Sequence, residues 1–478
     1  MKAYTRPLTS IVMALSCITA SYADTLQDVY ELALSNDAKL KAAEANYRAN
    51  IETEEQAFSQ LLPQIVGTAN YTKGDNDVLN RGANLTPGVP NAFYSATDVQ
   101  SDSEEENYSI SLQQKVFDLP TWFTFKGGKA ITKQAEAQLA ADQQALMVRT
   151  VEAYFNVLRA RDNLEAAKAE EQATKRQLEQ TQQRYDVGLI AITDVHEARA
   201  VYDNTMVQRL SFEGELGTSY EALSVLTGTA HHNLWELRED YAIAAPVPVE
   251  RDSWVEFALK NNHLLAAAHA ATEASHLSAK SKKMEHMPKV TASYSYNDNS
   301  RDGDSHSRTH NIDDFFYNDT EGSTWGVTLT IPLYSGGGVS SQRREAYERY
   351  NATLQNEIDT RRTTIQATRS LHLNVMTDVQ RVKARARSIT STRSALEATE
   401  AGYEVGTRNI VDVLQSRRSL YAAIRDYANS RYDYVINMLK LKQQAGTLSP
   451  QDIINLNKAL VVAAAPSAKD IKLSANQY

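Results

Sequence analysis

YEVGTRNIVDVLQ, Tyr403 to Gln415, says almost what YDVGLIAITDV has already said at Tyr185 to Val195. Tyr185, Val187, Gly188, Ile192, Asp194 and Val195 fall on Tyr403, Val405, Gly406, Ile410, Asp412 and Val413 at a constant offset of 218. The register carries on to TGT at Thr227 to Thr229 against AGT at Ala445 to Thr447. Earlier in the chain Ala33, Leu34, Asn36, Leu40, Ala43 and Pro63 match Ala258, Leu259, Asn261, Leu265, Ala268 and Pro288 at offset 225. The chain is therefore a tandem duplication, with a first repeat over 24–245, a second over 246–450 and a partly disordered tail over 451–478.

At 478 residues the chain is too long for one ordinary compact core. Its start reads as an address. Lys2 and Arg6 precede the apolar run Ile11 to Ala20, and SYA, ending at Ala23, fits a small-residue cleavage site, so 1–23 is a signal peptide. That run is too short to span a bilayer, which takes roughly 20 apolar residues in a helix. The only cysteine, Cys17, lies inside it, and the residues before Cys17 do not fit a lipid-anchor signal. The mature chain then has no thiol, which excludes disulfides, cysteine–zinc sites and thiol catalysis. Removing the leader moves the formal charge from −9 to −11, so nucleic acid is not an expected partner.

Each repeat opens with helix, at about 25–60 and 252–285, followed by two β-like runs. In STWGVTLTIPLY, Trp325, Val327, Leu329, Ile331 and Leu333 share one side, and Val290, Ala292, Tyr294 and Tyr296 do the same in KVTASYSYN. NYSISLQQKVF alternates through Tyr108, Ile110 and Leu112, whereas QIVGTANYT alternates weakly. Runs of about ten residues with aromatic ends have the length of tilted membrane strands. The same pattern also suits an edge hairpin of a soluble domain. Polar loops at 74–104 and 298–323 separate the strands, facing outward if the strands cross a membrane.

After the second strand of each repeat helix begins and hardly stops. Trp122 to Tyr185 contains no proline, and unbroken it would be about 90 Å long. Val339 to Tyr403 repeats this, with a sparse seam at Leu371, Val375, Val379, Val382, Ala386 and Ile389. The returning helix carries a heptad at Val413, Leu420, Tyr427, Tyr434 and Leu441. Gly188 and Gly406 then mark two hairpin tips, near 185–195 and 403–413, where glycine permits a left-handed cap.

Four membrane-length strands cannot close a barrel alone, and open edges in lipid cost several kcal/mol for each unsatisfied backbone group. The chain must oligomerise, and three copies would supply twelve strands, within the range of closed outer-membrane barrels.

The tips YDVGLIAITDV and YEVGTRNIVDVL, the ending AGTLSPQDI and the junctions VFD and IPLYSGGG closely resemble the outer-membrane efflux protein family, over nearly all of 24–455. The resemblance implies a mixed, mainly α fold: a trimeric outer-membrane β-barrel with four strands per chain, continued by a long periplasmic α-helical barrel. It implies a duct for drugs, other small toxic molecules or proteins, and no enzyme or cofactor. The implied partners are two further copies, a periplasmic adaptor of the membrane fusion type, an inner-membrane pump (RND, ABC or MFS) and outer-membrane lipid. It also implies a periplasmic gate held shut between hairpins, with Thr193 and Asp194 on one and Tyr403 and Arg408 on the other. Phenol and guanidinium both donate to carboxylates or carbonyls, which makes a latch chemically reasonable. Family members line the entrance with two aspartate rings. Asp412 fits the first, and Gln415 stands at the second, so one ring is lost and cation attraction is weaker.

Glu273 and His276, with His269 one turn earlier, resemble half of a di-iron site, but no second Glu-x-x-His pair exists and a solvated helix face is the better reading. Asp302, Asp304, His306 and His310 could catch a metal, yet an exposed loop of this composition is more simply hydrophilic. The competing function is a soluble periplasmic coiled-coil adaptor or scaffold.

Overall fold

The computed structural model describes residues 24–84, 93–308 and 310–462; the signal peptide, Cys17 and the tail beyond 462 lie outside the described residues. The first repeat runs α1 (Leu26–Asn36), α2 (Ala38–Ser59), β1 (Gln64–Asn84), β2 (Phe93–Phe117), α3 (Leu119–Asp186) and α4 (Ile192–Thr227). After β3 (Glu236–Leu237) the second repeats the order with α5 (Arg251–Asn261), α6 (His263–Lys283), β4 (Lys289–Ser307), β5 (Ile312–Thr330), α7 (Gly338–Glu404) and α8 (Ile410–Gln444). The helix α9 (Pro450–Asn457) and strand β6 (Leu460–Val461) follow. These elements fall into two compact units. Among the described residues, one holds 24–43, Ala140–Asn262 and 363–462; the other holds Glu44–Leu139 and His263–Arg362.

The opening helix of each repeat is two helices, not the single one expected. Asp37 and Asn262, equivalent at offset 225, leave helical geometry with ψ of 116° and 120°. Asp37 caps the next helix, accepting from the Leu40 amide at 2.6 Å, and pairs with Arg149 at 3.1 Å. Short polar residues can either cap a helix or sit within one, so such a break leaves no glycine or proline to read.

In the second unit the four long strands form one antiparallel sheet in the order β1-β2-β4-β5. The register sets Ile65, Leu112, Tyr294 and Trp325 in one row across all four strands, with Val290 beside Leu329 and Ala292 beside Val327 on the same face. Trp325 is 81% exposed, and Val327, Leu329, Ile331 and Leu333 are exposed too. Leaving a large apolar side chain in water forgoes about 1.5–3 kcal/mol each. A face of this kind belongs against lipid. The opposite face is small and uncharged in the corresponding rows: Val66, Ser111, Ser295 and Thr324, then Thr68, Ser109, Asn297 and Gly322.

The strands run well beyond the alternating segments. Most of 74–104 and 298–323, expected to be loops, is ladder: Asp75 pairs with Asp102 and Asp102 with Asp304. Backbone pairing is indifferent to side-chain polarity, so a hairpin that leaves an apolar medium can continue with charges on both faces, and periodicity misses it. Cross-strand contacts decorate it, including Lys73 to Glu104 at 2.7 Å and Arg308 to Asp77 at 3.0 Å. His306 pairs with Asp313 at 2.7 Å, and no group of three or more His, Cys, Asp or Glu is placed to hold a metal among the described residues. Within this unit His269 meets Glu357 at 3.0 Å and His276 stacks on Tyr350 at 4.9 Å.

The first unit packs Tyr154, Phe155 and Leu158 of α3 against Leu223 of α4, Val375 and Val379 of α7, and Tyr432 and Val435 of α8. Of the seams read from the sequence, Val375, Val379, Val382 and Ile389 are buried on α7, and Val413, Tyr434 and Leu441 on α8, whereas Leu371, Ala386, Leu420 and Tyr427 are half-buried. Tyr154 donates to the Trp235 carbonyl at 2.8 Å, near which Asp24 bridges to Leu234. Part of the expected tail is folded here. Ser449 and Asp452 form a capping box at the start of α9, Ile453 and Leu456 are buried, and β6 pairs with β3.

Burial of Asp162 beneath Tyr432 makes this unit sensitive to pH. Desolvation raises the carboxyl from its ordinary 3.8 to about 6, although the Tyr432 hydroxyl donates to it at 2.5 Å. The folded state then holds more protons than the unfolded state between those values, so stability falls as pH rises from about 4 to about 6 and stays low above. Asp162→Asn should remove up to about 3 kcal/mol of that decline. Thermal midpoints of variant and parent, compared at pH 4.5 and 7.5, test it; equal declines would show that Asp162 is not the group responsible.

Candidate functional site

Both hairpin tips lie in the first unit. At the first, α3 ends at Asp186, Gly188 turns the chain with φ of 74°, and the Leu189 amide returns to the Arg184 carbonyl at 2.9 Å. At the second, Gly406 has φ of 79° and the Thr407 amide returns to the Gly402 carbonyl at 2.9 Å. Neither glycine has a neighbour in the way of a Cβ, so the left-handed backbone alone requires it. The helices that leave the tips differ. Asn409 caps α8 by accepting from the Asp412 amide at 2.8 Å, while α4 starts from Ala191 with no side-chain cap.

Asp194 and Asp412 occupy the first turns of α4 and α8, where the helix dipole favours a carboxylate. The Thr193 hydroxyl donates to Asp194 at 3.4 Å. Arg408 lies 3.7 Å from Asp412 with both side chains largely exposed, so within one chain this carboxylate carries a cation beside it. Exposed pairs of this kind are worth less than about 1 kcal/mol. Tyr403 packs against Ile410, Val413 and Leu414. Its hydroxyl is buried and without a hydrogen-bond partner among the described residues. Gln415 is exposed, three positions after Asp412. The fold thus brings Arg408 to Asp412, and within one chain no described hydrogen bond joins Asp194 to Tyr403 or Arg408.

Several arginine contacts between the helices escaped the sequence reading. The Arg184 guanidinium sits over the Tyr403 ring, 5.0 Å from its centroid. Arg417 of α8 reaches the Ala173 carbonyl of α3 at 3.2 Å and Glu400 of α7 at 2.5 Å. Further along the same helices Arg425 pairs with Glu170 at 3.3 Å, where burial still holds the glutamate above its usual range. The signal for Arg184 was in the duplication: at offset 218 it falls on Gly402, so the two tips differ there.

The Outer membrane efflux protein family model matches residues 29–229 and 254–447, covering both repeats. The chain belongs to that family. It is 35% identical to outer membrane protein TolC of Vibrio cholerae serotype O1, over 93% of this chain and 96% of that one. To TolC of Escherichia coli K12 it is 33% identical, over 92% of this chain and 86% of that one. The Campylobacter jejuni CmeC outer membrane channel shares the fold, with a TM-score of 0.70 at 16% identity over 96% of this chain and 98% of that chain. As an outer membrane efflux protein the chain is an exit duct of the outer membrane that extends into the periplasm, and the soluble-adaptor reading is set aside.

Proposed function

We propose that three copies close their sheets into one barrel, β1 of each copy meeting β5 of the next, and that the hairpin tips of the three chains form an iris-like gate at the periplasmic end. The observation that carries this reading is the sheet itself. It has two open edges and, over the rows that carry the apolar side chains, one lipid-compatible face and one uncharged face suited to a water-filled lumen. Open edges are unstable in hydrocarbon, and closure by copies removes them. Detergent-purified protein should run as a homotrimer and precipitate when detergent is withdrawn; a water-soluble monomer would refute the assembly. An epitope tag beside His310 and Asn311, between β4 and β5, should be labelled on intact cells, whereas tags at Gly188 or Gly406 should stay hidden.

The buried, unpartnered hydroxyl of Tyr403 supports the latch, because a neighbouring hairpin carrying Thr193 and Asp194 would supply an acceptor. Exposed Val187, Leu189 and Val405 at the tips offer apolar contact to a periplasmic adaptor, through which an inner-membrane pump of the RND, ABC or MFS type supplies the energy. Asp412 forms the remaining charge ring. Asp412→Ala should relieve block by multivalent cations in planar bilayers, and Gln415→Asp should strengthen it; block indifferent to residue 412 would show the ring to be elsewhere. Loss of the gene should sensitise cells to detergents, dyes and antibiotics if the cargo is small, and abolish a secreted protein if it is not.

A further inference from the structure

We infer that Arg184 clasps the two hairpins of one chain through the face of the Tyr403 ring, holding the tips in the closed arrangement independently of any bond made by the Tyr403 hydroxyl. The inference rests on the gate reading above and adds a residue and an interaction to it. Arg184 stands in the last turn of α3, where a cation is favoured by the helix dipole, and Tyr403 in the last turn of α7, on the other hairpin. The guanidinium lies 5.0 Å from the ring centroid, within the range at which the ring quadrupole attracts a cation. Among the described residues no acidic side chain pairs with Arg184, so the ring is its partner.

Comparison of the duplicated tips shows why the clasp runs in one direction only. The equivalent of Arg184 is Gly402, and a Cβ there would come within 2.9 Å of the Arg408 Cγ. Gly402 makes room for the Arg408 stem beside its own hairpin. Arg408 in turn falls on Ile190 in the first repeat. Each tip therefore contributes one arginine, Arg408 to the carboxylate of its own hairpin and Arg184 to the aromatic ring of the other.

A cation over a ring at a partly exposed site shifts a two-state equilibrium by about two- to fivefold. Single channels of the full-length protein in planar bilayers read this directly. Arg184→Gln should raise the open-to-closed ratio by about that factor per chain, multiplied where the three chains open together, and Tyr403→Leu by at least as much, while the double variant should add nothing to the larger single effect. Tyr403→Phe keeps the ring and should raise the ratio less than Tyr403→Leu, and Arg184→Lys less than Arg184→Gln. Far-UV circular dichroism and oligomer mobility in detergent must match the parent for each variant scored. An equal rise for Phe and Leu at 403, or additive effects in the double variant, overturns the clasp. A rise with Arg408→Ser but none with Arg184→Gln defeats the clasp and leaves the gate standing. No rise with either defeats the gate reading itself.

Discussion

Gly446→Ala should lower the stability of the helical unit by about 4 kcal/mol, while the equivalent Gly228→Ala should cost about 1 kcal/mol. The two glycines are related at offset 218, and both take a left-handed conformation past the end of a long helix, with φ of 69° and 71°. Alanine pays the same backbone penalty at each. The surroundings differ. A Cβ on Gly446 would lie 2.1 Å from the Asn261 carbonyl oxygen, at the break between α5 and α6, whereas on Gly228 its nearest contact is 3.6 Å away at the Asn36 side chain. Backbone cannot step aside as a side-chain tip can. It is also held there, since the Asn262 amide bonds Ala258 at 3.0 Å and its side chain bonds the Gln444 carbonyl at 2.9 Å. In a large chain the difference should appear as a midpoint about 8 °C lower for Gly446→Ala against about 2 °C for Gly228→Ala. Equal midpoints would mean that the α5–α6 break shifts freely.

That asymmetry shows which levels of the structure are open to sequence reading. The duplication, the long helices and the tips are legible because each leaves a periodic or conformational mark: seams at three- and four-residue steps, and glycines at Gly188 and Gly406 where only a positive φ fits. The breaks at Asp37 and Asn262 are not, since aspartate and asparagine are acceptable inside a helix. The strands are legible only where one face is apolar. Beyond Tyr296 and Tyr108 the ladder continues through Asp298, Asp302 and Glu104, and the composition there reads as loop.

The site divides in the same way. The family resemblance singles out Thr193, Asp194, Tyr403, Arg408 and Asp412, and the fold sets all five at or beside the tips. Which partner each one takes depends on how the helices are rotated and paired. Tyr403 turns its ring toward Arg184 and buries its hydroxyl, and Arg408 folds back to Asp412. A family pattern names the participants, while the contacts follow from packing at Ile410, Val413 and Leu414, which fixes the rotation of α8 beneath the tip.

The combined change Tyr403→Phe with Arg408→Ser should raise conductance of the closed channel more than any single change at the tips. The phenylalanine keeps the ring beneath Arg184 and removes only the hydroxyl, whose bond to a facing carboxylate would be worth about 1 kcal/mol. The serine removes a guanidinium whose exposed links are each worth no more than about 1 kcal/mol. Together the losses approach 2 kcal/mol per chain, or about thirtyfold in the ratio of open to closed tips. Three chains that open together multiply the effect, so conductance should respond steeply although no one link is strong. The helical core around Phe155 and Tyr432 is untouched, and the midpoint for unfolding should stay within about 2 °C of the parent. Asp412 also remains, so multivalent cations should still block the widened pore, and more strongly because Arg408 no longer sits beside the carboxylate. An unchanged conductance in the double variant would place the gate away from these tips. Raised conductance with cation block abolished would mean that Arg408 orders the charge ring and does not compete with it.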